Sequence, residues 1–239
     1  MKIGGFQKFS LIDYPAKFSA IIFTQGCNFR CGFCHNPELV DPKLFTKNIP
    51  EQEILDFLKK RRDQLDAVVV TGGEPLLQIN LEKFLKKLKK LGYSIKLDTN
   101  GSFPKRLEKI IKEKLVDYIA MDIKAPIENQ NSKVKSQKYS EITGTNVDTK
   151  KILKSINLIM GSGIDYEFRT TIVKSQLTEN DILKIGEMIK GAKLYALQKF
   201  IPTKTLDPKF LKETTYSDKE LERIKEKMLG LFKINCIIR

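Results

Sequence analysis

A chain of 239 residues is long enough to bury a sizeable core and short enough for one α/β domain. Its 41% hydrophobic content, its mean hydropathy of -0.29 and the lack of any apolar run near the roughly 18 residues that cross a bilayer exclude a membrane-spanning or disordered protein. The 43 basic against 29 acidic residues (net +14) favour an acidic partner, but the lysines are scattered with no arginine-rich or aromatic-interleaved run, so a solvated basic surface is expected rather than nucleic-acid binding.

The N-terminal MKIGGFQKFSLIDYP lacks the apolar stretch and cleavage site of a secretory signal, which makes the cytoplasm the expected compartment. The first predicted strand, FSAIIFTQ (18–25), runs into TQGCNFRCGFCHNPE, where Cys27, Cys31 and Cys34 stand at Cys-x3-Cys-x2-Cys spacing. Strand runs DAVVVTG (66–72), SIKLDTN (94–100), DYIAMDIK (117–124), YEFRTTIV (166–173) and LYALQKFI (194–201) follow. Helical patterns at about 50–64, 80–91, 104–115, 148–161 and 178–190 alternate with them. A last helix at 217–231 opens on Ser217 with Glu220 three residues on, a capping-box spacing, and INCIIR is a candidate edge strand.

This alternation predicts an α/β fold, a partial (β/α)6 TIM-like barrel, with 1–239 as a single domain: a core at about 16–202 and a C-terminal helix and edge strand in 203–239. Such a barrel works at the C-terminal ends of its strands, and the polar residues gather there, as TQGC, TGGE, LDTNG, MDIK and FRTT. The longest irregular piece, 126–146, reads either as a lid or docking loop or as a disordered insertion.

A reducing compartment disfavours disulfides, so the clustered cysteines point to metal binding or catalysis, and the lone Cys236 to a buried core thiol. Structural zinc takes four ligands, and His35 directly follows Cys34, where adjacent side chains point apart. A [4Fe-4S] cluster also takes four thiolates as a rule; with three, one iron keeps an open position, where exogenous chemistry happens. Gly72 and Gly73 let backbone approach a ligand closely, and the Glu74 carboxylate can accept from an ammonium group. Asp98 and Asp122, at successive strand ends, repel unless a cation sits between them, and either can pair with Lys124. Arg169, inside a strand, needs an anionic partner.

With Phe33 placed just before Cys34, the cysteine loop closely resembles the radical S-adenosylmethionine (SAM) superfamily. The resemblance implies a radical SAM core in which Cys27, Cys31 and Cys34 hold a [4Fe-4S] cluster, its open iron binding the methionine moiety of SAM, with Gly72, Gly73 and Glu74 at the methionine amino group. LDTNG and MDIK resemble a narrower group, the activating enzymes of glycyl radical enzymes. That resemblance implies that Asp98, Thr99 and Asp122 hold a monovalent cation beside the cofactor carboxylate, with Lys124 and Arg169 close by. Over 4–202 the chain is most similar to activating proteins of anaerobic ribonucleoside-triphosphate reductase.

The implied activity is reductive cleavage of SAM to a 5'-deoxyadenosyl radical, which takes a hydrogen atom from a glycine of a glycyl radical enzyme, an anaerobic ribonucleotide reductase. Flavodoxin or ferredoxin is the implied electron donor. A histidine that pyruvate formate-lyase activases carry at the end of the sixth strand is missing here, with Ile201 about where it would stand, and no cysteines are spare for further clusters. One alternative is a radical SAM enzyme modifying a nucleotide, RNA or small molecule, supported only by the +14 charge. Another is a noncatalytic iron-sulfur or zinc protein, which would have no reason to keep Gly72, Gly73, Glu74 and the Asp98/Asp122 pair.

Overall fold

A computed structural model describes residues 1–127 and 137–239. Its strands are β1 (Ile3–Ser10), β2 (Ser19–Thr24), β3 (Ala67–Gly72), β4 (Ser94–Thr99), β5 (Tyr118–Asp122), β6 (Asp165–Ile172), β7 (Tyr195–Lys199) and β8 (Cys236–Ile238). They form one sheet in chain order, with β1 antiparallel to β2 and every later pair parallel. Among the described residues β1 and β8 are the edges, so the sheet is the arc of a partial TIM-like barrel, as the βα alternation predicts.

The helices are α1 (Pro37–Val40), α2 (Glu51–Lys60), α3 (Leu81–Lys90), α4 (Pro104–Lys112), α5 (Gln137–Thr143), α6 (Thr149–Met160), α7 (Glu179–Met188) and α8 (Asp218–Phe232). Their apolar stripes, such as Leu81, Phe84, Leu85 and Leu88 of α3, pack with Ile22, Val68, Val70, Ile95, Leu97 and Ile119 on the outer face of the strands. Each such side chain contributes about 1.5–3 kcal/mol when fully buried. The alternate residues face inward, where the apolar cluster is small: Tyr14, Ile21, Ala67, Val69 and Tyr118. The rest of the interior is polar, and there the site is built.

The capping box expected at Ser217 and Glu220 opens α8, and Cys236 is buried on β8 as expected. Three elements depart from the sequence reading: β1, α5 and the single turn α1, which is too short to show a helical period. β1 carries Gly4 and Gly5, has Ile3 as its one β-branched residue and shows no alternation; pairing with β2 creates it. Helix α5 lies in the piece read as irregular, and burial of Tyr139 and Ile142 holds it. The lid or docking reading of 126–146 falls in part on 128–136, which lie outside the described residues.

Candidate active site

The three clustered cysteines line a cavity of about 270 Å³ at the C-terminal ends of the strands, together with Thr71, Gly72, Gly73, Asp98, Thr99, Asp122, Lys124 and Arg169. Four backbone hydrogen bonds fix the loop that carries them. Gly26 N–H donates to Leu39 O (2.8 Å), Glu74 N–H to Gly26 O (2.8 Å), Arg30 N–H to Thr143 O (2.7 Å) and Asp207 N–H to Gly32 O (2.9 Å). Phe33 is buried with its ring 6.5 Å from that of Phe200 and 6.2 Å from that of Phe210, and Lys124 Nζ lies 5.7 Å from its centroid. Gly32 leaves room for this packing, since a Cβ there would stand 2.2 Å from the Phe210 ring.

Burial pushes the thiols up, Cys27 to about 12 and Cys31 to about 11, and Cys34 is raised as well. They need a metal's charge to ionise them at neutral pH. Among the described residues no three His, Cys, Asp or Glu side chains converge on a single ion position. Three thiols that share a pocket without sharing a point suit a cubane, in which each thiolate binds a different iron, better than one zinc ion. His35 is engaged elsewhere: its ring stacks on Phe200 at 5.4 Å and its Nε2–H donates to Ile201 O at 2.9 Å.

Gly72 and Gly73 line the cavity, but what crowds them is the chain's own backbone. A Cβ on Gly72, whose φ is +119°, would meet Thr24 N at 2.2 Å, and one on Gly73 would meet Gly26 O at 2.2 Å. The glycines thus seat the start of the cysteine loop on the end of β3. Glu74 does not line the cavity. Fully buried, it accepts from Leu76 N–H (2.9 Å), Thr99 Oγ1–H (2.9 Å) and Asn100 N–H (2.7 Å). Burial raises its pKa to about 7 despite these donors. It ties the end of β3 to the end of β4, and Thr99 Oγ1 is spent on it and on Gly101 N–H.

Asp98, Asp122, Lys124 and Arg169 come from three strands and meet. Arg169 Nη1 lies 3.0 Å from Asp98 Oδ2 and its Nε 2.8 Å from Asp122 Oδ1, while Lys124 Nζ is 3.1 Å from Asp122 Oδ2. The Arg169 guanidinium thus bridges the two carboxylates. Burial acts to raise both carboxyls, and Arg169, with Lys96 at Asp98 and Lys124 at Asp122, outweighs it and holds them below the usual range.

Beneath them runs a set of charges that the sequence reading did not single out. Lys96 Nζ lies 3.1 Å from Asp98 Oδ1 and 3.9 Å from Glu167 Oε1, and Arg239 Nη2 lies 2.7 Å from Glu167 Oε2. A signal existed: Lys96 with Asp98, and Glu167 with Arg169, are charges two residues apart within a strand, which puts each pair on one face. Asn100 was also missed; its Nδ2 lies 4.0 Å from Cys27 Sγ and donates to Asn28 Oδ1 at 3.0 Å.

An open α/β barrel with three thiols and a charged cavity at the C-terminal ends of its strands defines a cofactor-dependent enzyme class. The family model described as the radical SAM superfamily matches residues 21–189. A protein of Methanocaldococcus jannaschii provisionally named a glycyl-radical enzyme activating enzyme is 35% identical over 99% of this chain and 95% of its own length. The pyruvate formate-lyase-activating enzyme of Staphylococcus aureus is 29% identical over 72% of this chain and 68% of its own. Among solved structures, SuiB of Streptococcus suis bound to its precursor peptide aligns with 92% of this chain and 48% of its own at 16% identity and a TM-score of 0.69, a likeness of fold. The chain spans about half of that structure. The chain belongs to the radical SAM superfamily and, within it, to the glycyl-radical enzyme activating enzymes. Membership brings a [4Fe-4S] cluster and SAM as cofactors.

Proposed function

We propose that this chain activates an anaerobic ribonucleoside-triphosphate reductase, with Cys27, Cys31 and Cys34 as its cluster ligands and SAM bound against the charged floor of the same cavity. The observation that carries the reading is the meeting of three thiols with Lys124, Arg169 and two strand-end carboxylates in one cavity. Held by Cys27, Cys31 and Cys34, the cluster would supply the one-electron reduction of SAM from which hydrogen abstraction at a glycine of the partner would follow.

The residues of the chain bind and orient. The methionine carboxylate of SAM has cationic Lys124 and Arg169 to meet, and its ammonium group has the backbone of Thr71, Gly72 and Gly73. Glu74 contributes from below, by holding Thr99 and Asn100 in place. A monovalent cation joins this reading only by displacing Lys124 or Arg169 from the carboxylates, and a potassium titration of SAM binding tests it. Among the described residues no helix is long and apolar enough to cross a membrane, which accords with a reducing cytoplasm as the site of action.

The test is anaerobic reconstitution with iron and sulfide, reduction with dithionite in the presence of SAM, and addition of a candidate reductase. The expected result is 5'-deoxyadenosine followed by a glycyl doublet in electron paramagnetic resonance. Zinc in place of iron, or no 5'-deoxyadenosine, overturns the cofactor assignment; 5'-deoxyadenosine without a doublet on the reductase overturns only the partner.

A further inference from the structure

Beside the cysteine loop, but outside the cavity just described, a cleft of about 400 Å³ lies between the N-terminal ends of α4 and α6. Lys105, Arg106, Lys150, Lys151 and Lys154 line it, with Ser102 and Phe103. Arg106 is engaged with Glu82 and with the carbonyls of Leu76 and Gln78, and Lys154 Nζ lies 3.7 Å from Glu108. Lys105, Lys150 and Lys151 are exposed and, among the described residues, form no ion pair; of the acids nearest in sequence, Glu108 pairs with Lys112 and Lys154, and Asp148 caps α6 through Lys150 N–H. Three unpaired lysines around one concavity make a patch that attracts a negatively charged surface.

The cleft reaches the cysteine loop through hydrogen bonds. Ser102 Oγ–H donates to Asn100 Oδ1 at 2.6 Å, Asn28 Nδ2 donates to Ser102 Oγ at 2.9 Å, and Asn100 Nδ2 lies 4.0 Å from Cys27 Sγ. The chain has no other cysteine for an internal relay, since the fourth, Cys236, is buried on β8. With no further cysteine to relay it, an electron for the cluster enters most directly through the surface nearest the loop.

We propose that this lysine-lined cleft is the docking site of a small acidic one-electron carrier protein, a flavodoxin or ferredoxin, which delivers its electron past Ser102, Asn28 and Asn100 to the Cys27 side of the cluster. The step moves one electron and no proton: the carrier is oxidised by one electron and the cluster reduced by one. The proposal rests on the radical chemistry inferred above, and it adds the surface through which that chemistry is supplied.

The test compares the full reconstituted chain with its K105E/K150E/K151E variant and with the neutral K105Q/K150Q/K151Q variant, each checked for fold by circular dichroism. Binding of an acidic flavodoxin and of an acidic ferredoxin is measured by calorimetry at low and high salt, independently of turnover. Charge reversal is expected to weaken binding of at least one carrier by about tenfold or more and to flatten its salt dependence, with the neutral variant between. Formation of 5'-deoxyadenosine driven by that carrier should fall, while the same reaction driven by dithionite should stay within about twofold of the unmodified chain. Carrier affinities unchanged for both proteins overturn the proposal. So does a loss confined to binding of a single-stranded RNA or of the reductase, which would give the cleft to another partner. If dithionite yields no 5'-deoxyadenosine even with the unmodified chain, the activase reading fails, and the calorimetry still decides the docking surface.

Discussion

Arg169 spans Asp98 and Asp122, at 3.0 and 2.8 Å, and is itself only 12% exposed. Replacing it with methionine leaves two buried carboxylates facing each other, with only Lys96 and Lys124 to offset them. Removing one partner of a buried ion pair costs about 3–5 kcal/mol. The R169M variant should lose stability of that order in denaturant unfolding of the metal-free chain, and R169K, whose single ammonium cannot fork between two carboxylates, should lose roughly half as much. An unchanged unfolding midpoint would show that the guanidinium is not what holds these strand ends together. Glu74 makes the opposite case. With its pKa raised to about 7, the folded chain binds its proton more tightly than the unfolded chain, where the ordinary value is 4.5. Stability should therefore be greatest below pH 4.5, fall as pH rises through about 7 and level off above it, by about 3 kcal/mol for this group alone. Asp98 and Asp122, held low, contribute stability that is present above the ordinary Asp pKa and lost as pH falls through their folded values, so their window lies below that of Glu74. Unfolding midpoints between pH 4.5 and 7.5, with and without E74Q, read the difference. The meeting of Asp98, Asp122, Lys124 and Arg169 was visible in sequence because the first three sit at or near strand ends and Arg169, inside a strand, needs an anionic partner. The burial of Glu74 was not, because whether a carboxylate faces a cavity or folds under its floor depends on which backbone N–H groups the next strand brings to it.

Among the elements, the alternation of β-branched runs with amphipathic stretches predicted the six central parallel strands, most plainly β2, β3 and β5, whose near-continuous apolar runs suit strands covered on both faces. β1 and α5 were not predicted, because neither is stabilised locally. β1 exists through its register with β2, and α5 through burial of Tyr139 and Ile142 and the hydrogen bond from Arg30 N–H to Thr143 O. Both touch the segment that carries the cysteines, so what sequence periodicity left out is part of what holds the loop. The join between β3 and that loop can be tested at Gly73, where a Cβ would stand 2.2 Å from Gly26 O, a backbone atom that cannot swing aside. Gly73→Ala should destabilise the chain by about 2 kcal/mol or more and lower the iron bound per chain after reconstitution, because Gly26 leads directly into Cys27. Gly230→Ala in α8, where nothing lies within 4 Å, should instead stabilise by about 0.5–1 kcal/mol and leave iron loading unchanged. Equal effects at the two sites would mean that Gly73 answers to helix or strand propensity and not to the close approach.

At the scale of the whole molecule the barrel interior is a ladder of alternating charge, from Arg239 through Glu167, Lys96, Asp98, Arg169 and Asp122 to Lys124. Each rung after the first is largely buried, and the ladder links β8 to the cavity through side chains of β4, β5 and β6. The first rung is the weakest and the most informative. Arg239 is 38% exposed while Glu167 is 1% exposed, so the arginine spends much of its charge on water but remains the closest countercharge to a buried carboxylate, with Lys96 Nζ at 3.9 Å the next. Arg239→Gln should cost about 1–3 kcal/mol, less than the loss of Arg169, because water and Lys96 take up part of the imbalance. If the cost arises from the stranded carboxylate, adding Glu167→Gln should recover part of it, and the double-mutant cycle should show a coupling of at least about 0.5 kcal/mol. If it arises from weaker pairing of β8 with β7, where Arg239 N–H donates to Leu197 O and Lys199 N–H to Arg239 O, the second substitution should recover nothing. Under the proposed placement of SAM against this floor, Glu167→Gln should also shift SAM affinity in a titration of the reconstituted chain, since Lys96, freed from Glu167, turns more of its charge to Asp98 and loosens the hold of Asp98 on Arg169.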